Sequence, residues 1–589
     1  MKNINSREWT WALIVSLATA LLIVAPFFVL GAASGHDFEF HASSWLDAAG
    51  QWKEGIVFPR WTEWANHGFG EPRFIFYPPL SWVLGAALGS LLPWNAVPVV
   101  FIVLTQTVAG LCAFALARTA TSRGGALFGA ACYAANPYAL LVVYMRSDFA
   151  EQLAAAFYPL LFLLALRVCG ILVGEKRGQA GNILDSEPTR GQNRDIALFS
   201  AVFAAVWLSN APAGVLASYT VALLLVWAAW HEKSLWPALR GAAGLLLGLG
   251  LTAFYLLPAA YEQKWVSIEQ ALSSGLQPAQ NFLYTATADP QHTLFNWIAS
   301  SVAILLIAVT GIAAVLSWRK TTTAASAELA MATRKNWRAD LNVAMLLVAA
   351  VATFLMLRFT AIFWRLLPKL RFVQFPWRWM AILAVACAFF QACAFRRARR
   401  RWIVVAMVAT LSVATAALLI HQTWWDTEDI PVLRAAIRDG SGFDGTDEYD
   451  PLGDDHYDLP AQAPEAAILN AEDAEEPPPK ANIRIEKWIA SDKQLLVTSA
   501  EASRVALRLL DYPAWRVEVN GKPIAPQHPE GTAQMLVPLQ PGTSQIRIHL
   551  VMTKDREAGA AITLLSLLAI VPLFLRVRRP PLKGRDALA

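Results

Sequence analysis

Twelve runs of apolar residues dominate this chain of 589 residues. They lie at about 10–30, 98–118, 124–144, 152–172, 195–209, 212–231, 236–258, 294–317, 341–357, 377–395, 402–421 and 558–576. A helix of about 17–25 residues spans the hydrocarbon core of a bilayer. No water is available there to satisfy backbone N–H and C=O groups, so each run must close its hydrogen bonds internally as a helix. The run 195–209 is the shortest of the set, and a further apolar stretch, 79–92, is too short to cross. Hydrophobic residues make up 56% of the chain, charged residues only 16%, and the mean hydropathy is +0.40. These values exclude a disordered chain and argue against a soluble enzyme. The expected fold class is mainly α, a polytopic membrane protein of about twelve transmembrane helices.

Lys and Arg collect on the cytoplasmic side of a membrane. Lys2 and Arg7 therefore place the N-terminus inside. If 79–92 lies along the outer surface, the loop Arg118–Arg123 falls inside, and so do the later basic groups: Lys176, Arg177, Arg190 and Arg194; Lys233 and Arg240; Arg319, Lys320, Arg334, Lys335 and Arg338; the Arg396–Arg401 run; and the tail from Arg576 to Arg585. If 79–92 crossed, that agreement would be lost. Both termini are expected inside, and the first run is read as a retained anchor because its core is longer than a signal peptide's. Cys112, Cys132, Cys169, Cys387 and Cys393 all sit in apolar runs, which excludes a disulfide framework and a zinc site of CxxC type.

Three long segments then fall outside: 31–97, 259–293 and 422–557. The chain divides into a transmembrane module over 1–421, an acidic segment and linker over 422–480, a β-domain over 481–557, and a last span with a basic tail over 558–589. The acidic stretch GFDGTDEYDPLGDDHYDLP at 442–460 does not fit an EF-hand loop and reads as a solvated acidic loop. From Ile483 the residues alternate, with a turn signal at Asn520-Gly521, as in an antiparallel β-sandwich. The loop 358–376 breaks the charge rule with Arg358, Arg365, Lys369 and Arg371, and Arg378 stands at its edge. Either an anionic ligand at the outer face or snorkelling to lipid headgroups accounts for it.

Chemistry is expected where ionisable groups meet the outer membrane edge. GHDFEFH at 35–41 sets Asp37, Glu39 and His41 directly after the first span. Such carboxylates act as a general base or hold a divalent metal. YMRSDFAEQ at 144–152 offers Arg146, Asp148 and Glu151, and its Ser147 or Asp148 also reads as a helix cap. FPRWTEWANHGFGEPRFIFYPPL at 58–80 carries Arg73 in an ordered loop rich in Gly and aromatics. LLPKLRFVQFPWRWM at 366–380 carries Lys369, Arg371 and Arg378, and Arg suits phosphate through its forked donors. No P-loop, GxGxxG after a strand, HExxH or GxSxG is present, and the basic clusters are topology signals, so no nucleic-acid partner is expected.

These motifs in this order resemble the GT-C superfamily of polytopic glycosyltransferases. More closely, the chain is similar to the bacterial membrane family labelled 6-pyruvoyl-tetrahydropterin synthase-related. The resemblance rests on Asp37 with His41, FPRW, NHGFGEP and FYPPL, MRSDFAEQ, LSNAP at 208–212, LPKLRFVQFPWR and GFDGTDEYDPLG. DYPAWRVEVNGKP resembles the C-terminal region of YfhO-type membrane proteins. The resemblance implies a bacterial inner (plasma) membrane location and transfer of a sugar from a polyprenyl-phosphate carrier to a glycan, lipid or protein acceptor at the outer face. Asp37, with Glu39 and His41, takes the catalytic position. Asp148, Glu151 and Arg146 form the acceptor or metal site. Arg371, Arg378, Lys369 and Arg73 hold the donor phosphate. A divalent cation, Mg or Mn, is the candidate cofactor, although the second site reads SDFAE rather than DxD. A non-enzymatic role in envelope assembly or export is the alternative, and a transporter a third.

Overall fold

The computed structural model describes residues 4–172, 190–318, 337–395, 401–471 and 477–574. Lys2, Lys176, Arg177, Arg319, Lys320, Arg334, Lys335, the Arg396–Arg400 run and the tail from Arg576, all used above to set orientation, lie outside those residues. Among the described residues, ten helices are long and apolar enough to cross a membrane, from Ser6–Leu30 to Lys554–Leu573. The pair Trp236–Leu251 and Ala253–Trp265 is apolar enough to pass the same test together but is bent by 74°, as in a broken span or a re-entrant loop. The run 195–209 forms the helix Arg190–Ser209 but is not among the ten, and Arg190, Arg194 and Asp195 stand in its first two turns. The chain is thus a multi-pass helical membrane protein with a β-sheet domain before its last helix.

Helices in a bilayer gain little from the hydrophobic effect between themselves, so close packing of small residues decides which ones meet. Met380–Phe395 is rich in Ala and is enclosed almost completely. Gly129 faces it from Arg123–Ala134; a Cβ there would stand 2.7 Å from the Ala392 Cβ and 3.2 Å from the Ala388 oxygen. The bend at Thr252 breaks a helical hydrogen bond in the apolar layer. Thr563 of the last helix repairs it: its hydroxyl accepts from the Phe254 N–H at 2.9 Å and donates to the Gly250 oxygen at 3.1 Å. That is the pair an unbroken helix would have joined directly.

The segment after the first span forms the helix Phe38–Lys53, which packs against the 13-residue helix Pro79–Leu91. Trp45 lies over Gly85 there, where any side chain would collide with the indole. At about 20 Å long, Pro79–Leu91 is too short to cross hydrocarbon. A two-residue ladder of β1 (Ala32–Ala33) and β2 (Trp425–Asp426) ties the exit of the first span to that of the helix Arg401–Gln422.

The β-domain comprises two sheets. One contains β4 (Ala481–Ile489), β5 (Asp492–Ser499), β10 (Gly542–Leu550), β7 (Trp515–Val519) and β8 (Lys522–Ile524), in that order. The other is β3 (Ala466–Asn470), β6 (Ser503–Leu510) and β9 (Gln534–Leu539). Leu495, Val497, Val505, Leu507, Val537 and Ile546 fill the space between them. The β7–β8 turn is Asn520-Gly521 with φ of 52° and 75°, the positive pair of a type I′ hairpin. Strand β3 shows that the domain begins ahead of residue 481, and the helix Asp429–Asp439 stands between it and the last membrane helix before it.

The acidic stretch is anchored at a few points, while Asp444, Asp447, Asp455 and Asp458 are exposed as in the solvated loop expected from the sequence. Phe443, Tyr449 and Asp450 are buried. Phe443 exchanges backbone hydrogen bonds with Trp64 and His67, at 3.0 and 3.1 Å, and Asn66 donates to Asp450 at 3.1 Å. Gly445 lies so close to the Asn66 amide that a Cβ would overlap it. Asn66 and His67 hold positive φ of 50° and 54°, and Arg508 of β6 donates to the His67 oxygen at 2.7 Å. The loop 58–80, the acidic stretch and the β-domain therefore form one body.

That body is bolted to the bundle by a buried ion pair. Arg556 donates to both oxygens of Glu262, at 2.7 and 2.8 Å, and Tyr512 donates to the same carboxylate at 2.6 Å. Glu262 is 0% and Arg556 2% exposed. Replacing one partner of such a pair strands the other charge, at about 3–5 kcal/mol. Arg556→Met should lower stability by that order and speed tryptic release of the β-domain. Unchanged melting and cleavage would show that the clamp is dispensable.

Candidate active site

Two backbone features bring distant acidic residues together. The helix after Pro137 widens to a π-helix over Val142–Arg146 and ends on Ser147 with φ of 53°. Such turns re-aim side chains, and they recur at functional positions. The strand leaving the first span lies against this turn. Asp37 N–H donates to the Arg146 oxygen at 2.8 Å, Gly35 N–H to the Ser147 hydroxyl at 3.0 Å, and that hydroxyl to the Ala33 oxygen at 2.7 Å. Gly35 makes the approach possible, since a Cβ there would press on the Met145–Arg146 backbone. Asp148 then caps the next helix, accepting from the Glu151 N–H at 2.8 Å.

The result is a chain of alternating charges. Arg146 reaches Asp37 at 2.6 Å, Asp148 at 3.1 Å and Glu151 at 2.6 Å. Arg378 reaches Glu151 at 3.0 Å and Asp148 at 3.4 Å. His41 Nε2 stands 3.5 Å from Asp148, and the Tyr138 hydroxyl donates to Glu151. Phe375 and Trp377 stack at 4.8 Å and cover Arg146, with the Arg146 guanidinium carbon 5.6 and 5.4 Å from their ring centres. The cluster contains three carboxylates and two guanidiniums, so it is acidic overall unless His41 is protonated. The side chains of Arg146, Asp148, Glu151, His41 and Arg378 are at most 6% exposed, whereas that of Asp37 is 35% exposed. Asp37 is the member that a ligand reaches first.

Burial would raise the Asp148 carboxyl, but Arg146, with His41 and Arg378, outweighs it and holds the group well below the usual carboxylate range. Tyr77 is pushed the other way: burial first, then Asp148 and Asp37, keep its phenol protonated far above its ordinary value. His41 sits among Tyr77, Phe149 and Trp45.

Six of the sequence-predicted residues thus meet: Asp37, His41, Arg146, Asp148, Glu151 and Arg378. Four do not. Glu39 is exposed one residue along from the cluster-facing helix start. Arg73 is buried elsewhere, bonded to Glu71 at 2.5 Å, Ser43 at 3.0 Å, Ser44 at 3.1 Å and Thr446 at 3.3 Å, with Phe40 across its face. Its donors join the first loop to the acidic stretch. Lys369 and Arg371 are exposed, at 3.2 Å from Gln263 and 2.9 Å from Glu269. Ser209 and Asn210 of LSNAP form a helix junction in which Asn210 accepts from the Ala213 N–H at 2.9 Å. Tyr138, Gln374 and the Phe375–Trp377 lid belong to the site and were not singled out. The signal for them was faint: a Tyr after Asn-Pro, and an aromatic run that membrane interfaces also produce.

A divalent ion fits this arrangement poorly. Among the described residues no group of three His, Cys, Asp or Glu is placed to hold one. The reason is chemical: guanidinium groups already cover the faces of Asp148 and Glu151 that would ligate it. No step below is routed through a metal.

Asp148→Asn should destabilise the protein by about 3–5 kcal/mol at neutral pH, because Arg146 and Arg378 lose a buried counter-charge. The folded group is held below its unfolded value of about 3.9, so its contribution is present above that pH and fades below it. Melting curves of wild type and variant should therefore converge as the pH falls below about 4. A gap constant with pH would remove the ionic role of Asp148.

No family model matches the chain, and no curated protein matches it. Among solved structures, the cryo-EM structure of the arabinofuranosyltransferase AftD from Mycobacteria is similar at a TM-score of 0.41 and 15% identity. The likeness covers 73% of this chain, which spans about a quarter of that protein's length, 27%.

Proposed function

We propose that the protein is a GT-C-type glycosyltransferase that moves a sugar from a polyprenyl-phosphate carrier to an acceptor hydroxyl at the outer face of the bacterial inner membrane. The observation that carries the reading is the single accessible carboxylate, Asp37, at the mouth of an otherwise buried charge cluster between membrane helices. Its Oδ2 is fixed by Arg146, and its Oδ1 makes no hydrogen bond among the described residues. Asp37 accepts the proton of the acceptor hydroxyl as the new C–O bond forms at the anomeric carbon. The bond from that carbon to the phosphate oxygen breaks on the opposite side, and its electron pair leaves with the phosphate. Attack and departure on opposite sides invert the centre.

The arginines divide this work. Arg146 spends both terminal nitrogens on Glu151, Asp37 and Asp148, and Arg378 spends all three of its nitrogens on Glu151, Asp148, Gln374 and the Val373 oxygen. They position carboxylates. A donor phosphate is met instead by Arg371 and Lys369 on the exposed loop leading into Arg378, where a forked cation stabilises the leaving charge. The same pairing of Arg146 and Arg378 with carboxylates favours the second reading, a non-enzymatic envelope-assembly protein, because both cations inside the cluster are already matched.

The test uses purified full-length protein in vesicles with labelled polyprenyl-phosphate sugars and a crude envelope extract as acceptor. Wild type should release label from the lipid. Asp37→Asn should lower the rate about 10²–10⁴-fold with an unchanged melting curve. Release by neither protein from any donor, with no donor bound, would favour the assembly role.

A further inference from the structure

The loop between the helices Trp337–Leu355 and Pro376–Phe395 carries a surface that the charge cluster does not use. Its short helix Ala361–Leu366 is held from one side. Trp364 is buried there, donates its indole N–H to the Leu355 oxygen at 3.1 Å, and meets Phe282 edge-on at 6.0 Å. The other side is bare. Ile362 and Leu366, four residues apart and so on one face of the helix, are 52% and 72% exposed, and Phe359 in the turn before them is 69% exposed. Arg358, in the preceding 3-10 turn Arg358–Thr360, and Arg365, on the helix itself, are exposed as well, and neither has an ion-pair partner among the described residues. Arg371, further along, is paired with Glu269. Both flanking helices cross the membrane, so this face lies where the bundle ends and lipid headgroups begin. Large apolar side chains beside unpaired guanidiniums suit that boundary and not bulk water.

We propose that Arg358 and Arg365 form a docking site for the phosphates of anionic bilayer lipids, with Phe359, Ile362 and Leu366 set among the acyl chains. Each cation near a negative membrane surface contributes about 1 kcal/mol, so the pair confers roughly thirtyfold preference for a charged over a zwitterionic headgroup. The rigid seat supplied by Trp364 makes this a site and not loose snorkelling. It also accounts for positive charge on the side where topology disfavours it. The proposal stands whether or not the protein transfers sugars.

The experiment is native mass spectrometry of the full-length protein released from micelles doped with equal amounts of phosphatidylglycerol and phosphatidylcholine. Wild type should retain phosphatidylglycerol tenfold or more over phosphatidylcholine. The double variant Arg358→Gln, Arg365→Gln should lose that preference, while Arg516→Gln, Arg547→Gln on the β-domain should keep it. No preference in wild type, or equal loss in both double variants, would overturn the site. A parallel arm offers a polyprenyl phosphate. If wild type retains it in place of phosphatidylglycerol and the first double variant does not, the two arginines belong to substrate capture and the proposal fails.

Discussion

Arg146 is the charge on which the site depends. Its guanidinium lies between three carboxylates from two separate elements, at 2.6, 3.1 and 2.6 Å. Without it, Asp148 and Glu151 would share the single charge of Arg378 between membrane helices, where ionised carboxylates are costly. With it, they become fixed anions that hold Arg378 and, through the Asp148 cap, the start of the helix Phe149–Val168. The π-turn that presents Arg146 and the Gly35 contact that admits Asp37 are therefore parts of one device. It stores strain in the backbone and recovers it in buried ion pairs.

The membrane helices were legible because hydrocarbon allows no other structure, and apolar runs therefore map directly onto elements. The β-domain was legible for a related reason: period-two alternation and Asn520-Gly521 have few other uses. Asp37, Asp148 and Arg378 stood out because they stand at span ends on the side that the basic clusters avoid. Their meeting followed only from packing, which sequence spacing does not express. Arg73 shows the limit from the other side. As a residue type it fits a phosphate, yet Glu71, two positions away, together with Ser43 and Ser44, takes up its donors. Nothing local marks that choice. The anchors of the acidic stretch were hidden for the same reason: Phe443 and Asp450 are matched to backbone and side chain of the loop around Asn66, hundreds of residues earlier.

The β-domain is positioned, not tethered. Backbone hydrogen bonds from Phe443 and the Arg508 contact to the His67 oxygen hold it to the first loop, and Tyr512 joins it to the Glu262–Arg556 pair.

The hydroxyl of Thr563 has a consequence for biogenesis. The broken helix around Thr252 is synthesised some three hundred residues before the segment that mends it. Until the last helix inserts, the Phe254 N–H and the Gly250 oxygen lack the hydroxyl that joins them, and an unmet backbone group in the apolar layer costs several kcal/mol. Membrane insertion is vectorial, so this defect persists through translation of the entire β-domain. The bundle closes only when the C-terminal helix arrives. A chain halted before that point carries a marked flaw in its membrane layer, of the kind that quality-control proteases recognise.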